Sequence, residues 1–337
     1  MTDRFKLAII GCGGHARGTL APLWADIPEI EPVGACDAHA ESLANFAELF
    51  GIENTYSDAQ KMLAEQQPDI LIVGSWPASH MENVLDGVNG GVRAIFCEKP
   101  IALNAGEAER MFEAARSAGV ILVEGFMHLY HPQTHAVKAR LDEGAVGELR
   151  CVRASFSSGS SNPTNWRRRG ELGGGAAMDL GCYCLSSIRY LVGEDPLWVS
   201  ANGNFDADAE IWHTLLGTLH FENGVIGQFD TSFGWSRRGS CEVVGTEGTI
   251  WVPRTAWSWP REESSTLTWA NADYRDPREE TVEVAGLNPY RAELLDLVNA
   301  LSTGEPTLLP DELSVGTMRL IDAVHESART GQRVKIG

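Results

Sequence analysis

The stretch Phe5 to Gly18, FKLAIIGCGGHARG, constrains this chain more than any other. An apolar run of strand length ends at Gly11, and Gly11-x-Gly13-x-x-Ala16 then opens a helical pattern. In such a turn the first glycine permits the tight bend and the second lets the backbone approach a pyrophosphate. The small third residue lets the helix pack on the strand, so that its free N–H groups point at the phosphates. Cys12, Gly14 and His15 complete that cradle. Asp37 ends the next apolar run at the distance where a carboxylate accepts hydrogen bonds from adenosine ribose hydroxyls. The bland alternative is a glycine turn with a helix-capping aspartate.

The rhythm that follows supports a dinucleotide fold. Phe5 to Ile10, Pro32 to Cys36, Ile70 to Gly74, Ala94 to Cys97 and Ile121 to Val123 read as strands, with amphipathic stretches such as Ala40 to Phe50 and Ala105 to Ala118 between them. Strand and helix in alternation predict an α/β Rossmann domain, a doubly wound parallel sheet over residues 1–124. From residue 125 the pattern changes. Pro132 to Glu143 and Gly174 to Val192 read as helices. Cys151 to Phe156, Trp198 to Gly203, Trp212 to Phe221, Val225 to Phe233, Cys241 to Gly245 and Thr249 to Val252 read as strands. Asn223-Gly224 between two of these is a hairpin signal, because both residues tolerate positive φ. Residues 125–337 are therefore expected to form an α+β domain with a large open, mainly antiparallel sheet. Two closing helices, Pro289 to Ser302 and Asp311 to Thr330, are expected to pack back on the first domain. The alternation of Leu215, Leu219 and Phe221 is expected to leave that sheet with an apolar open face, which points to a homodimer or homotetramer.

Charge narrows the partners. A formal charge of −19 and no basic stripe beyond Arg167 to Arg169 argue against nucleic acid. No run approaches the roughly 20 apolar residues of a membrane span. The N-terminus enters the first strand without a cleavage site, so a cytoplasmic location is expected. Seven cysteines without regular spacing read as reduced, buried thiols.

Chemistry-bearing residues gather in four places. Ser75, Trp76 and Pro77 follow the third long strand, and His80 either contacts a nicotinamide ribose or caps its helix; Trp76 either lies against a cofactor or packs inside. Glu98 and Lys99 end the next strand, where Pro100 holds Lys99 extended. Asn165, Trp166 and Arg167 offer amide, stacking and cationic contacts suited to a polyhydroxylated ligand. Asp179 and Tyr183 lie four residues apart in GGGAAMDLGCYCLSSIRYL, about 6 Å along a helix, so both can face one pocket. His128, His131 and His135 imitate a metal site, but Pro132 starts a helix among them and no carboxylate accompanies them, so no metal is expected.

Together the glycine turn, EKP (98–100), VEGFMHLYHPQ (123–133), the Asp179/Tyr183 helix and ESARTGQRV (326–334) resemble the Gfo/Idh/MocA oxidoreductase family across essentially the whole chain. Tyrosine at 183 resembles the branch of glucose-fructose oxidoreductase, xylose-type sugar dehydrogenases and dimeric dihydrodiol dehydrogenase; inositol dehydrogenases have histidine there. The resemblance implies an NAD(P)-dependent dehydrogenase of a sugar or polyol, with Lys99, Asp179 and Tyr183 as its catalytic group. It also admits a dihydrodiol or anhydrosugar oxidoreductase, or a non-catalytic NAD(P)-binding regulator. A free phenol with a pKa near 10 is a weak base at neutral pH. The Lys99 ammonium and a positive nicotinamide ring would favour the phenolate, which makes Tyr183 the expected acid/base, Lys99 its rival and activator, and Asp179 the orienting acceptor. Asp37, with no arginine after it, favours NAD, with NADP possible. Gly125, His128 and Leu129 depart from the alanine, tyrosine and arginine usual in that branch. His128 is placed with the substrate wall on that basis.

Overall fold

The computed structural model describes residues 4–159, 165–255, 257, 262–273 and 275–336. The chain divides into two compact units, one of Met1–Gly125 with Tyr290–Ser314, the other of Phe126–Pro289 with Val315–Gly337.

The first unit is built on six parallel strands: β1 (Phe5–Ile10), β2 (Ile30–Cys36), β3 (Thr55–Tyr56), β4 (Ile70–Val73), β5 (Ala94–Cys97) and β6 (Ile121–Glu124). Their order, β3-β2-β1-β4-β5-β6, is that of a doubly wound sheet. β4 and β5 are buried at every position, as strands covered on both faces must be. Helices α1 (Ala40–Phe50), α2 (Ala59–Gln66), α3 (Pro77–Asn89) and α4 (Ala105–Ala118) connect the strands, and α7 (Pro289–Thr303) contributes from Tyr290 onward. Asp58 and Asn104 cap α2 and α4 through the N–H groups of Lys61 and Glu107, which supplies two of the donors a helix start leaves unpaired. After the glycine turn the expected regular helix is absent. A π turn, Ala16–Leu20, passes into a 3₁₀ segment, Ala21–Asp26, because Pro22 has no N–H to continue the ladder.

The second unit is a nine-stranded sheet among the described residues: β7 (Leu149–Ser157), β8 (Trp198–Asp206), β9 (Ile211–His220), β10 (Ile226–Ser232), β11 (Arg238–Gly245), β12 (Gly248–Val252), β13 (Ser265–Asn271), β14 (Glu279–Val284) and β15 (Val334–Lys335). The order is β14-β13-β12-β11-β7-β10-β9-β8-β15, with β7 and β10 the one parallel pair. The hairpin at 222–224 forms as read: Gly224 takes φ +82° and His220 pairs with Ile226. β3, β13, β14 and β15 escaped the sequence reading, being either two residues long or, like EETVEV, without an apolar run. α5 (Pro132–Asp142), α6 (Cys182–Val192) and the later part of α8 (Asp311–Thr330) belong to this unit.

The apolar face was misassigned. Leu215, Leu219 and Phe221 are buried, and the exposed large apolar side chains of the sheet are Phe205, Leu216, Ile226 and Trp251. Alternation along β9 supplies two faces, and the stripe of Leu215 and Leu219 went inward, where Gly227 sits against both Ile188 of α6 and Leu219.

Candidate active site

The first unit carries the expected dinucleotide residues and Lys99. Gly11 has φ +96°, and a Cβ there would fall 2.5 Å from the Ser75 nitrogen, so both conformation and packing demand glycine. Gly13 and Gly14 are different: a Cβ on either would meet nothing of the chain within 4 Å. The bare surface at Gly13 serves no contact within the protein and fits a pyrophosphate laid against the turn. The carboxylate of Asp37 accepts from the Cys12 N–H at 2.7 Å and from the His39 N–H at 2.7 Å. It is thus fixed beside the turn with lone pairs remaining for ribose hydroxyls. Ala16 is buried.

Glu98 is buried, and its Oε1 lies 2.9 Å from His15 Nε2. Burial works to raise the pKa of this carboxyl, but the charge and hydrogen bond of His15, with Lys99, outweigh it and hold Glu98 below its ordinary value. His15 also meets the Tyr290 ring edge-on at 5.6 Å. The sequence offered no sign of this pair, since 83 residues separate its members. Trp76 is 49% exposed, which removes the buried-packing reading. Pro77 begins α3, and Ser75 Oγ accepts from Asn83 Nδ2 at 2.9 Å. His80 is wholly buried, its ring between two backbone carbonyls.

Behind the Lys99 turn, Glu124 Oε1 accepts from the Ile101 N–H at 2.8 Å. Burial pushes this carboxyl up to about 7, against the hydrogen bonds of Ser314 and Ile101 that favour its charge. The folded protein therefore holds this proton more tightly than the unfolded chain does. The resulting stabilisation is full below pH 4.5 and is lost as pH rises through about 7. The difference amounts to roughly 3 kcal/mol at most. Glu124→Gln, which cannot ionise, is expected to raise Tm relative to the parent by roughly 5 °C at pH 8 and by little at pH 5. Calorimetry showing the same gap at both pH values would refute it.

The second unit carries Asp179, Tyr183 and the arginine loop. Asp179 is buried and its Oδ1 lies 2.8 Å from Arg167 Nε. The guanidinium of Arg167 also lies over the Trp166 ring at 4.7 Å, and Asn165 Oδ1 accepts from the Arg167 N–H at 3.1 Å. The earlier part of this loop, 160–164, lies outside the described residues. Two of the three glycines pin the loop to the helix start. Gly174 and Gly175 donate to the carbonyls of Arg169 and Arg167, and a Cβ on Gly174 would fall 2.6 Å from the Arg167 oxygen.

The expected regular helix from Gly174 begins instead with a π turn, Ala177–Gly181, and becomes α-helical at Cys182. Thr231 Oγ1 donates to the Ala176 carbonyl at 3.0 Å, at the start of the wide turn. Asp179 sits on that turn and Tyr183 just beyond it. Tyr183, 6% exposed, is walled by aromatic rings: His128 edge-on at 4.9 Å, Phe156 edge-on at 5.6 Å, and Trp257 stacked at 6.3 Å. His128 is itself fully buried and hydrogen-bonded to Ser186 at 3.1 Å. Sequence reasoning missed Phe156 and Trp257; the tryptophan density of residues 251–259 was the available signal. His131 accepts from the Gln133 N–H and His135 lies 2.7 Å from the Leu129 carbonyl, so both rings serve the α5 start. Groups of metal-ligating side chains are absent among the described residues, as are helices long and apolar enough to cross a membrane. All seven cysteines are free thiols, with Cys184 and Cys97 held protonated by burial.

A glycine turn on a doubly wound sheet, and a second unit in which a guanidinium-paired carboxylate precedes an enclosed phenol by four residues, are features that fit a nicotinamide-dependent oxidoreductase. The chain belongs to the Gfo/Idh/MocA family. Residues 5–126 match the oxidoreductase family, NAD-binding Rossmann fold, and residues 134–251 match the GFO/IDH/MocA C-terminal domain. It is similar to D-apiose dehydrogenase of Paraburkholderia graminis, 31% identical over 99% of this chain and 90% of the relative. It is also similar to D-xylose 1-dehydrogenase (NADP(+)) 2 of Haloferax volcanii, 29% identical over 86% of this chain and 87% of the relative. Among solved structures, a 3-ketoreductase from Actinomadura kijaniata in complex with NADP and TDP-benzene superposes with a TM-score of 0.89 at 25% identity, covering 96% of this chain and 98% of that one. The protein is an NAD(P)-dependent oxidoreductase acting on hydroxyl-bearing carbons.

Proposed function

We propose that this oxidoreductase is a dehydrogenase of a sugar or related polyol, with Tyr183 as its acid/base, Lys99 as electrostatic activator and hydroxyl donor, and Asp179 as orienting acceptor. The observation that carries the reading is Asp179 on the widened turn and Tyr183 in the first turn of α6 just after it, the carboxylate paired to Arg167 and the phenol enclosed by rings. The names of the relatives, D-apiose and D-xylose dehydrogenases, supply the substrate class. Oxidation of a secondary alcohol or hemiacetal removes the hydroxyl proton as hydride leaves the same carbon. Nicotinamide, when bound, supplies the acceptor for that hydride. Tyr183 takes the proton; the Lys99 ammonium stabilises the phenolate that can do so. The Arg167 guanidinium favours an ionised Asp179, an acceptor for a substrate hydroxyl rather than a donor. Asn165, Trp166 and Arg167 form the substrate-side loop.

Asp37 supports NAD as the preferred cofactor. Its carboxylate is fixed by two N–H donors where the 2′-phosphate of NADP would bring like charge. A nicotinamide absorbance assay against aldoses, inositols and glycosides is expected to find turnover with an aldose or polyol, with kcat/KM at least about tenfold higher for NAD than for NADP. Cofactor binding without turnover on any of them would favour a regulator of the same fold instead.

Assembly as a homodimer or homotetramer rests on the exposed Phe205, Leu216, Ile226 and Trp251 of the second sheet. Light scattering in solution is expected to give at least twice 36.6 kDa, and a monomer mass at micromolar concentration would refute it.

A further inference from the structure

His80 lies in the first turn of α3 with no exposed surface. Its Nδ1 is 3.0 Å from the Pro100 carbonyl oxygen, and its Nε2 is 3.1 Å from the Ser75 carbonyl oxygen. Both partners only accept, so each contact requires an N–H on the ring. The two carbonyls belong to different segments at the carboxyl edge of the first sheet: the loop after β4, which carries Trp76, and the turn after β5, which carries Lys99. Asn83, almost one turn further along α3, secures the same loop through Ser75 Oγ. That loop in turn abuts the glycine turn, where only the missing Cβ of Gly11 allows the approach. The Gly11, Ser75 and Pro100 segments are therefore in series, and His80 is the side chain that bridges the last two.

We propose that His80 is a positioning residue that ties the Trp76 loop to the Lys99 turn through both ring nitrogens, holding two walls of the cofactor site at fixed spacing, and that it holds both only when doubly protonated. A neutral imidazole has one N–H for two carbonyls. Its other nitrogen would set a lone pair against an oxygen about 3 Å away, a repulsive arrangement relieved by parting the loops. Burial, the largest influence, lowers the pKa of this ring, while the carbonyls of Ser75, Pro100 and Ile101 and the carboxylate of Glu98 pull the other way. The charged groups on the neighbouring segments are Glu98 with its partner His15, Lys99 on the same turn, and Glu124 beneath Ile101. Because the pKa is lowered, the doubly bonded form belongs to the acid side. Cofactor affinity is therefore expected to fall as pH rises through the pKa of His80.

Two amide substitutions separate the two contacts. In His80→Asn the amide nitrogen stands near the place of Nδ1 and keeps the bond to Pro100. In His80→Gln it stands near Nε2 and keeps the bond to Ser75. The dissociation constant of NADH is read from its fluorescence between pH 5 and 8, together with kcat for the best substrate of the panel. The parental enzyme is expected to lose NADH affinity by about fivefold across that range, the scale of one hydrogen bond. Both variants, made with the parent in a Glu124→Gln background that removes the neighbouring titration, are expected to be flat with pH. His80→Gln should keep NADH affinity within about twofold while kcat falls about tenfold, and His80→Asn should show the reverse. In the parental protein, the two ring ¹⁵N resonances of His80 should both move into the protonated range as the pH is lowered.

Equal losses of affinity and turnover in the two variants would reduce His80 to a core residue. A pH dependence that survives in them, or a ring nitrogen unprotonated throughout, would likewise overturn the inference. If a variant fails to fold, the ¹⁵N resonances of the parent decide alone. The kcat arm rests on the role proposed for Lys99. If Lys99→Met leaves turnover unaltered that reading fails, and the NADH and ¹⁵N readouts still decide this one.

Discussion

Tyr183→Phe is expected to cut kcat by at least about a hundredfold, the scale on which a positioned general base contributes. The substitution deletes one oxygen and keeps the ring contacts: His128 and Phe156 meet the ring edge-on and Trp257 stacks against it. Binding of NADH should be unchanged, because the expected dinucleotide contacts are carried by the first unit. Steady-state kinetics with parallel calorimetry make the test. A variant with near-parental kcat would remove the phenol from proton transfer and leave Lys99 as the acceptor. A variant that loses both turnover and stability would mark Tyr183 as a structural part of the aromatic cluster.

The second large effect separates two glycines that the motif treats alike. Gly11→Ala is expected to abolish measurable NADH binding and to lower Tm, since a Cβ would fall 2.5 Å from the Ser75 nitrogen and 2.6 Å from the Gly74 carbonyl carbon. Positive φ adds roughly 1–2 kcal/mol for any L side chain. Gly13→Ala meets no neighbour within 4 Å, so Tm is expected to stay within about a degree while NADH affinity falls at least about tenfold. The single methyl would lie where the backbone must approach the pyrophosphate. Titration of both variants with NADH, beside their melting curves, checks the contrast. Undiminished binding by Gly13→Ala would mean that the turn does not cradle the phosphates.

Much of the first unit was legible because its signals are local. An apolar run of four to seven residues buried on both faces reads as a parallel strand wherever it occurs, and α1 and α4 were bounded by histidine or asparagine before them and glycine after. The second unit was read less well, because an antiparallel sheet covered on one side offers two alternating faces and the sequence does not say which one the helices cover. Leu215 and Leu219 went inward for that reason, leaving Leu216 outside. The wide turn at Ala177 was missed because it has no local signal in the sequence, and the contact at its start, Thr231 Oγ1 on the Ala176 carbonyl, joins positions 55 residues apart.

The sequence by itself determined the glycine turn and the parallel strands of the first sheet, because each depends on residue type at fixed short spacing; Lys99, Asp179 and Tyr183 were singled out by the resemblance to the family and are proposed as its catalytic group. Tertiary structure alone decided which of these side chains are already engaged. Asp179 meets Arg167, Glu98 meets His15, and His80 spans the carbonyls of Ser75 and Pro100. Such pairings join positions far apart in the chain, and the low dielectric of the interior makes them strong enough to fix where a charge or a proton resides.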